Sequence, residues 1–352
     1  MSYFRPSIDA MTGYVPGEQP PAGQKVIKLN TNENPFPPSP KAMEVLRQLD
    51  GELLRRYPDP ASGAVRHAVS QVFNVPPEWV LVGNGSDDLL AMLFKACCQQ
   101  GRPAVYPMPT YVYYRTLAQV QDAPFIEVPY DDEYNLPVDE LVRQDGAVTF
   151  IANPNSPSGT FTPTDVLERL AVKLRGLLVV DEAYADFAED HATRLVAKRS
   201  NVVILRTLSK GYSLAGLRVG FAILQPSLMP ALVKVKDHYN VSASSAAAAA
   251  AAILDQTYMR ANADAIKAQR RELTDSLRGL GFRVWPSQAN FVLARPPAGD
   301  AEATYQALKA RGILVRYFKE PRLEDKLRIT VGSPADNAAL VAALQETLGK
   351  KA

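Results

Sequence analysis

Short apolar runs alternate with helical patterns between residues 79 and 224. Strands that alternate with helices in this way predict a mostly parallel sheet covered by helices, which is an α/β fold with three αβα layers. Open sheets of this kind bind their ligands at the carboxyl ends of the strands, so we expect the chemistry there. The predicted strands are residues 79–82, 104–106, 125–128, 148–152, 177–181, 202–206 and 220–224.

A different pattern follows the alanine-rich helix of residues 246–252. A long connecting helix at 258–280 leads into short strands at 282–285, 290–294, 313–316 and 327–331, which predict a second, smaller α+β domain. The length of the chain also favours two domains, because 352 residues exceed the roughly 250 to 300 that one hydrophobic core accommodates. We therefore predict an N-terminal arm (1–30), a large domain (31–252) and a small domain (253–352).

The first 40 residues hold eight prolines. Because proline fixes φ and cannot donate to a helix or a ladder, this segment is predicted to be an extended arm or an unstructured tail. Residues 29–35 (LNTNENP) favour the arm, since side-chain amides and turn formers are concentrated there.

Composition narrows the class of function. The 39 Lys and Arg residues against 37 Asp and Glu residues leave a net charge of +2, which is too balanced for a face that binds nucleic acid. Three histidines and two adjacent cysteines have no metal-ligand spacing, so an enzyme of this composition needs a borrowed cofactor. The sequence shows no secretion signal and no membrane-spanning stretch, and we expect a cytoplasmic protein.

Three segments carry candidate chemistry. Residues 82–90 (VGNGSDDLL) join a strand to a helix through a glycine turn, which suits either a phosphate or an ordinary helix cap and matches no ATP or NAD motif. Asp181 ends an apolar strand, where a carboxylate needs a cation or a donor and could also bind a metal or cap a helix. Lys210 lies beyond the next strand among hydroxyl side chains, and Arg218 follows it. An amine that forms an imine beside a phosphate-binding arginine requires this arrangement.

Together and in this order, the segments resemble the fold-type-I pyridoxal-phosphate aminotransferases, and among them the histidinol-phosphate aminotransferase group. The resemblance runs nearly end to end, through LNTNENPFPPSP, RRYPDP, GNGSDDLL, PTYVYYR, NPNSPSGT, VVDEAYADF, RTLSKGYSLAGLRVG, ANFVLAR, GILVRYF and LRITVG. It implies an aminotransferase of histidine biosynthesis, which converts histidinol phosphate and 2-oxoglutarate to imidazole-acetol phosphate and glutamate.

The resemblance also implies roles for individual residues. Lys210 would hold pyridoxal 5'-phosphate as a covalent imine and later move a proton, Asp181 would pair with the pyridine nitrogen, and Tyr184 would donate to the ring's phenolic oxygen. Tyr111 would stack on the ring. The cofactor phosphate would be bound by Gly85, Ser86, Asp87, Thr207, Ser209, Arg218 and, from the partner subunit of a homodimer, Tyr57.

One motif departs from the family pattern. Where relatives often have Asn-Pro-Asn-Asn-Pro-Thr-Gly, residues 153–159 read Asn-Pro-Asn-Ser-Pro-Ser-Gly. Either Ser156 donates a weaker hydrogen bond to the phenolic oxygen, or Asn155 turns in to replace the missing amide. We select Asn155 as the candidate.

For the substrate, Arg316 and Arg328 occupy strand positions in the small domain, and two arginines can bind a dianion by paired N–H forks. The resemblance implies that both bind the phosphate of histidinol phosphate and that Arg328 also serves glutamate and 2-oxoglutarate. Tyr14 and Glu33 resemble residues that close over the substrate, with Glu33 as an acceptor for imidazole; Tyr14 could instead anchor the arm on the partner subunit.

Other functions are consistent with much of this sequence pattern. Threonine-phosphate decarboxylases and aminotransferases for aromatic amino acids share the cofactor and the fold. A cofactor-sensing module of a transcriptional regulator is less consistent with the chain, because no helix-turn-helix segment precedes the arm.

Overall fold

The computed structural model describes residues 2–13, 17–20, 23 and 25–349. Within these residues two sheets are surrounded by helices. The strands are β1 (Ile27–Leu29), β2 (Val80–Gly83), β3 (Ala104–Met108), β4 (Phe125–Pro129), β5 (Val148–Ala152), β6 (Leu177–Asp181), β7 (Val202–Thr207), β8 (Gly220–Ile223), β9 (Arg283–Val284), β10 (Phe291–Arg295), β11 (Ile313–Tyr317) and β12 (Leu327–Thr330).

Fourteen α-helices are found in the described residues. They are α1 (Pro6–Ala10), α2 (Pro40–Arg47), α3 (Gly51–Leu54), α4 (Gly63–Phe73), α5 (Ser86–Cys97), α6 (Tyr113–Val120), α7 (Val138–Arg143), α8 (Thr164–Lys173), α9 (Arg194–Lys198), α10 (Met229–Val235), α11 (Ala243–Leu254), α12 (Gln256–Gly279), α13 (Ala301–Ala310) and α14 (Pro334–Thr347).

The larger sheet has seven strands in the order β2-β8-β7-β6-β5-β3-β4. Every neighbouring pair is parallel except those of β8, which runs antiparallel to β2 and to β7. Each predicted strand of this region is present, and the predicted α/β class with a mostly parallel sheet is confirmed.

Alternate residues along the central strands point to opposite faces of the larger sheet, as strand geometry requires. Val180 belongs to an apolar core that includes residues of α4, α8, α9 and α11, whereas its neighbour Val179 belongs to a separate core that includes residues of α5, α6 and α10. Both valines are fully buried. The central strands are therefore apolar on both faces, which is typical of a sheet between two helical layers.

The smaller sheet has the order β1-β11-β12-β10-β9. Three of its pairs are antiparallel, and β1 adds to the edge of β11 in parallel, with Ile27 opposite Ile313. Helices α12, α13 and α14 share the apolar core of this sheet. The segment just after β1 contacts residues near both sheets, because Asn32 bonds Thr330 in β12 and Tyr184 beyond β6.

Candidate active site

A cavity of about 220 Å³ lies where the carboxyl ends of β5, β6 and β7 meet the β11 and β12 side of the smaller sheet. This is the edge at which an open α/β sheet is expected to bind its ligand. Eleven of the residues predicted from the sequence line it: Ser86, Asp87, Tyr111, Asp181, Tyr184, Thr207, Ser209, Lys210, Arg218, Arg316 and Arg328.

Lys210 follows β7 and directs its amine into the cavity. Its Nζ donates to the backbone oxygen of Thr31 at 3.1 Å and lies 5.8 Å from the centre of the Tyr184 ring. Burial, reinforced by the positive charge of Arg328, lowers the pKa of Lys210 to about 8. The amine is therefore much closer to its neutral, nucleophilic form at physiological pH than an exposed lysine is.

Asp181 is the last residue of β6 and is only 4% exposed. Its Oδ2 accepts a hydrogen bond from the hydroxyl of Tyr114 at 2.9 Å, while its Oδ1 has no partner among the described residues. Burial raises the pKa of Asp181 to about 6. A buried carboxylate oxygen without a donor is costly, so this atom is suited to a protonated ring nitrogen of a bound group.

Tyr184 lines the cavity, and its hydroxyl has two hydrogen-bonding neighbours. Asn32 donates to that hydroxyl at 2.9 Å, and the side chain of Ser156 also hydrogen-bonds with it. Asn32 is itself fixed, because its backbone N–H donates to Thr330 and its carbonyl oxygen accepts from Asn290. Burial raises the pKa of Tyr184, which keeps its proton available for donation.

The glycine turn before α5 forms one end of the cavity together with the segment after β7. Arg218 links the two, since its guanidinium bonds Asp87 at 3.0 Å and Ser209 at 3.4 Å. Gly85 has a φ of +80°, and a side chain there would meet the guanidinium of Arg218 at 2.8 Å. Glycine is thus required for this approach. The arrangement combines a helix N-terminus, hydroxyls and a cation, which suits a phosphate.

Two arginines of the smaller sheet lie side by side at the other end of the cavity. Arg316 and Arg328 are directly opposite in the register of β11 and β12, and both guanidiniums lie over the ring of Phe318, at 5.2 and 5.6 Å. Arg328 also donates to Ser156 at 3.2 Å and to the backbone oxygen of Asn30 at 3.0 Å. Two adjacent guanidiniums can bind a dianion in a bidentate manner.

Several predicted site residues do not line this cavity. The buried Asn155 side chain bonds Thr110 and the backbone oxygen of Pro109, which follow β3, and Ser158 in its own loop, and it is Ser156 that lines the cavity. Glu33 pairs with Lys28 at 2.7 Å.

Two further predictions concern more distant residues. Tyr57 is 81% exposed and stacks on Tyr239, with ring centres 4.5 Å apart. Tyr14 lies outside the described residues.

Sequence reasoning missed two contributors, Asn32 and Tyr114. Asn32 belongs to the amide-rich segment that the sequence analysis singled out, and its φ of +56° fits an asparagine in a turn. Tyr114 comes three residues after Tyr111, a spacing that could have suggested a second tyrosine near the same site.

Within residues 2–13, 17–20, 23 and 25–349, no group of three or more His, Cys, Asp or Glu side chains could hold a metal ion, and none of the helices could span a membrane.

Comparison with known proteins shows the family of the chain. The family model "Aminotransferase class I and II" matches residues 24–344. Histidinol-phosphate aminotransferase 1 of Trichormus variabilis is 56% identical, with 99% of each chain covered, and histidinol-phosphate aminotransferase of Geobacter sulfurreducens is 44% identical, with 97% of this chain and 99% of the relative covered. A crystal structure of histidinol-phosphate aminotransferase from Sinorhizobium meliloti with pyridoxal-5'-phosphate superposes with a TM-score of 0.90 at 28% identity, covering 99% of this chain and 98% of that one.

The chain therefore belongs to the class I and II aminotransferases. Its fold is that of the fold-type-I pyridoxal-phosphate enzymes, as the motifs indicated, and its substrates are small molecules.

Proposed function

We propose that this enzyme moves an amino group between L-histidinol phosphate and 2-oxoglutarate, giving imidazole-acetol phosphate and glutamate, in histidine biosynthesis. The observation that carries the proposal is the pair Arg316 and Arg328, which lie opposite each other in the cavity that also holds Lys210. A phosphate monoester is a dianion, and two adjacent guanidiniums match it. The names of the two relatives reported above support the same substrate.

The cofactor assignment rests on residues that fit pyridoxal phosphate. When bound, this group supplies an electron sink for the bond broken at the substrate carbon. The unpartnered Oδ1 of Asp181 would accept the N–H of the protonated pyridine ring, and Tyr184 would donate to the ring's phenolic oxygen. Ser86, Asp87, Thr207, Ser209 and Arg218 would hold its phosphate, the first two through backbone N–H groups.

Lys210 has two roles in the proposal. Its amine, whose pKa is lowered, would hold the cofactor covalently, and once freed by the incoming amine, Nζ would take the proton from the substrate carbon. Residues near both sheets form the walls of the cavity around this amine. Arg328 would bind the α-carboxylate of glutamate in the second half-reaction, so one cavity accepts both donors in turn.

The covalent link is tested by reducing the holoenzyme with borohydride and digesting it. The cofactor should remain on the peptide that contains Lys210, and Lys210→Ala should retain none after the same treatment. Recovery of the label on another lysine would contradict the assignment of Lys210.

The reaction is tested by incubating the holoenzyme with histidinol phosphate and 2-oxoglutarate. Glutamate and imidazole-acetol phosphate should form together. Their absence, combined with carbon dioxide release from threonine phosphate or a higher kcat/KM for phenylalanine, would overturn the proposed substrate.

A further inference from the structure

Three carboxylates line the cavity within the described residues, and two of them are already engaged. Asp87 accepts from Tyr111 and Arg218, and Asp181 accepts from Tyr114. The third, Glu320, takes part in none of the side-chain hydrogen bonds or ion pairs found among the described residues. None of the roles assigned above uses it.

Glu320 belongs to the segment that joins β11 to β12. This segment brings Phe318, Glu320 and Leu323 into the cavity wall. From the large domain, Tyr111 and Val112, which precede α6, line the same cavity.

The charge of Glu320 also acts on helix α6. The hydrogen bonds that Arg115 donates to Glu127 are the main cause that raises the pKa of Arg115, and the negative charge of Glu320 adds to it. Arg115 lies in the first turn of α6. Glu320 therefore lies near α6, the helix that Tyr111 and Val112 of the cavity wall precede.

The unused carboxylate has a chemical counterpart in the proposed substrate. Histidinol phosphate carries a phosphate arm, for which the arginine pair is suited, and an imidazole arm that ends in an N–H donor. Val112 and Leu323 provide apolar contacts for a flat ring, while Glu320 provides an acceptor for its N–H. A half-buried carboxylate gains from such a donor, because a hydrogen bond to an ionised acceptor is stronger than a neutral one.

We propose that Glu320 is a specificity-determining residue that accepts a hydrogen bond from the imidazole N–H of the amino donor. The inference rests on the proposed function and deepens it. Glutamate has no ring N–H, and its two carboxylates can bind the two arginines. Glu320 would therefore discriminate between amino donors only in the half-reaction of histidinol phosphate. Glu33, the acceptor suggested by the sequence, is instead paired with Lys28.

The test compares two amino donors on the holoenzyme. Phenylalaninol phosphate has the amine and the phosphate of histidinol phosphate but a phenyl ring in place of imidazole. In the Glu320→Gln variant, the kcat/KM for histidinol phosphate relative to that for phenylalaninol phosphate should fall about 10-fold, and in Glu320→Leu about 100-fold. Glu324→Gln is the matched control, because it removes a carboxylate from the same segment without lining the cavity, and the ratio should stay at the wild-type value.

The outcomes separate the two proposals. An unchanged ratio in both Glu320 variants, or an equal loss of kcat/KM for both donors, would overturn the role of Glu320 while the proposed reaction stands. A wild-type enzyme that turns over no histidinol phosphate would overturn the proposed function and this inference with it.

Discussion

At the scale of single residues, the site depends on buried groups whose charged form is destabilised by burial. Lys210 has an ordinary pKa of 10.5 that burial lowers to about 8, so the native state disfavours the protonated amine. Below pH 8 the folded protein therefore carries a penalty that the unfolded chain does not, and the penalty disappears as the pH rises past 10.5.

The first prediction follows from that penalty. In cofactor-free protein at pH 7, Lys210→Met should raise the free energy of unfolding by about 1 to 3 kcal/mol, since the buried charge is gone. Urea unfolding at several pH values measures this, and the gain should shrink between pH 8 and 10.5. Lys173→Met, at an exposed lysine paired with Asp139, is the control and should show no such pH-dependent gain. A Lys210→Met variant less stable than wild type at pH 7 would contradict the argument.

The second prediction concerns Tyr114, whose hydrogen bond lowers the pKa of Asp181 against the effect of burial. In Tyr114→Phe that pKa should rise, so Asp181 loses its charge at a higher pH. The acidic limb of the kcat profile should therefore move up by roughly one pH unit. Tyr106→Phe is the control, because it also removes a tyrosine bond to a carboxylate, that of Glu127, but away from the cavity. An equal displacement in both variants would refute a specific role for Tyr114.

Residues at strand ends were predictable because their position follows from the local pattern. Asp181 and Lys210 each come after an apolar strand, and parallel strands bring such ends to one edge. Asn32 and Tyr114 were not predictable in the same way. The hydroxyl that Asn32 binds lies 152 residues further along the chain, and no local pattern encodes a pairing of that length.

At the scale of elements, a buried ion cluster joins the ends of β6 and β7, the strands that carry Asp181 and lead to Lys210. Arg206 in β7 bonds Glu182 at 3.0 Å and also Asp186, and its guanidinium lies 5.2 Å from the centre of the Phe73 ring. All three charged side chains are almost completely buried. The two strand ends are thus held together directly beneath the site.

The third prediction is that Arg206→Met destabilises the fold strongly. It leaves two buried carboxylates without their cation, and breaking such a cluster costs about 3 to 5 kcal/mol. Urea unfolding should report this loss, whereas Arg194→Met, which removes an exposed ion pair with Asp190, should cost under about 1 kcal/mol. Similar losses in the two variants would show that the buried cluster contributes no more to stability than an exposed ion pair does.

Element prediction succeeded where periodicity is strong and failed where pairing is remote. The seven strands of the larger sheet follow from apolar runs, but the reversed direction of β8 does not, because a run carries no orientation. Strand β1 was missed altogether. It has three residues, and its partner β11 begins 286 positions later, at Ile313 opposite Ile27.

At the scale of the whole molecule, exposed apolar side chains indicate an interface. Leu54 is 62% exposed, Tyr57 81% and Tyr239 49%, and the two tyrosine rings stack on each other. Large aromatic side chains that project into solvent together are typical of a contact surface. We propose a homodimer in which Tyr57 reaches the cofactor phosphate of the partner subunit.

The fourth prediction tests that arrangement by mixing two inactive or impaired proteins. Lys210→Ala and Tyr57→Ala dimers, dissociated together and allowed to re-pair, should regain activity, because a mixed dimer has one site with an intact Lys210 and an intact Tyr57 from opposite subunits. Random re-pairing makes half of the dimers mixed, each with one complete site, so about one quarter of wild-type activity should return. Each variant re-paired alone is the control. If Tyr57 instead serves the site of its own subunit, every site with Lys210 in the mixed dimer lacks Tyr57, and mixing restores nothing.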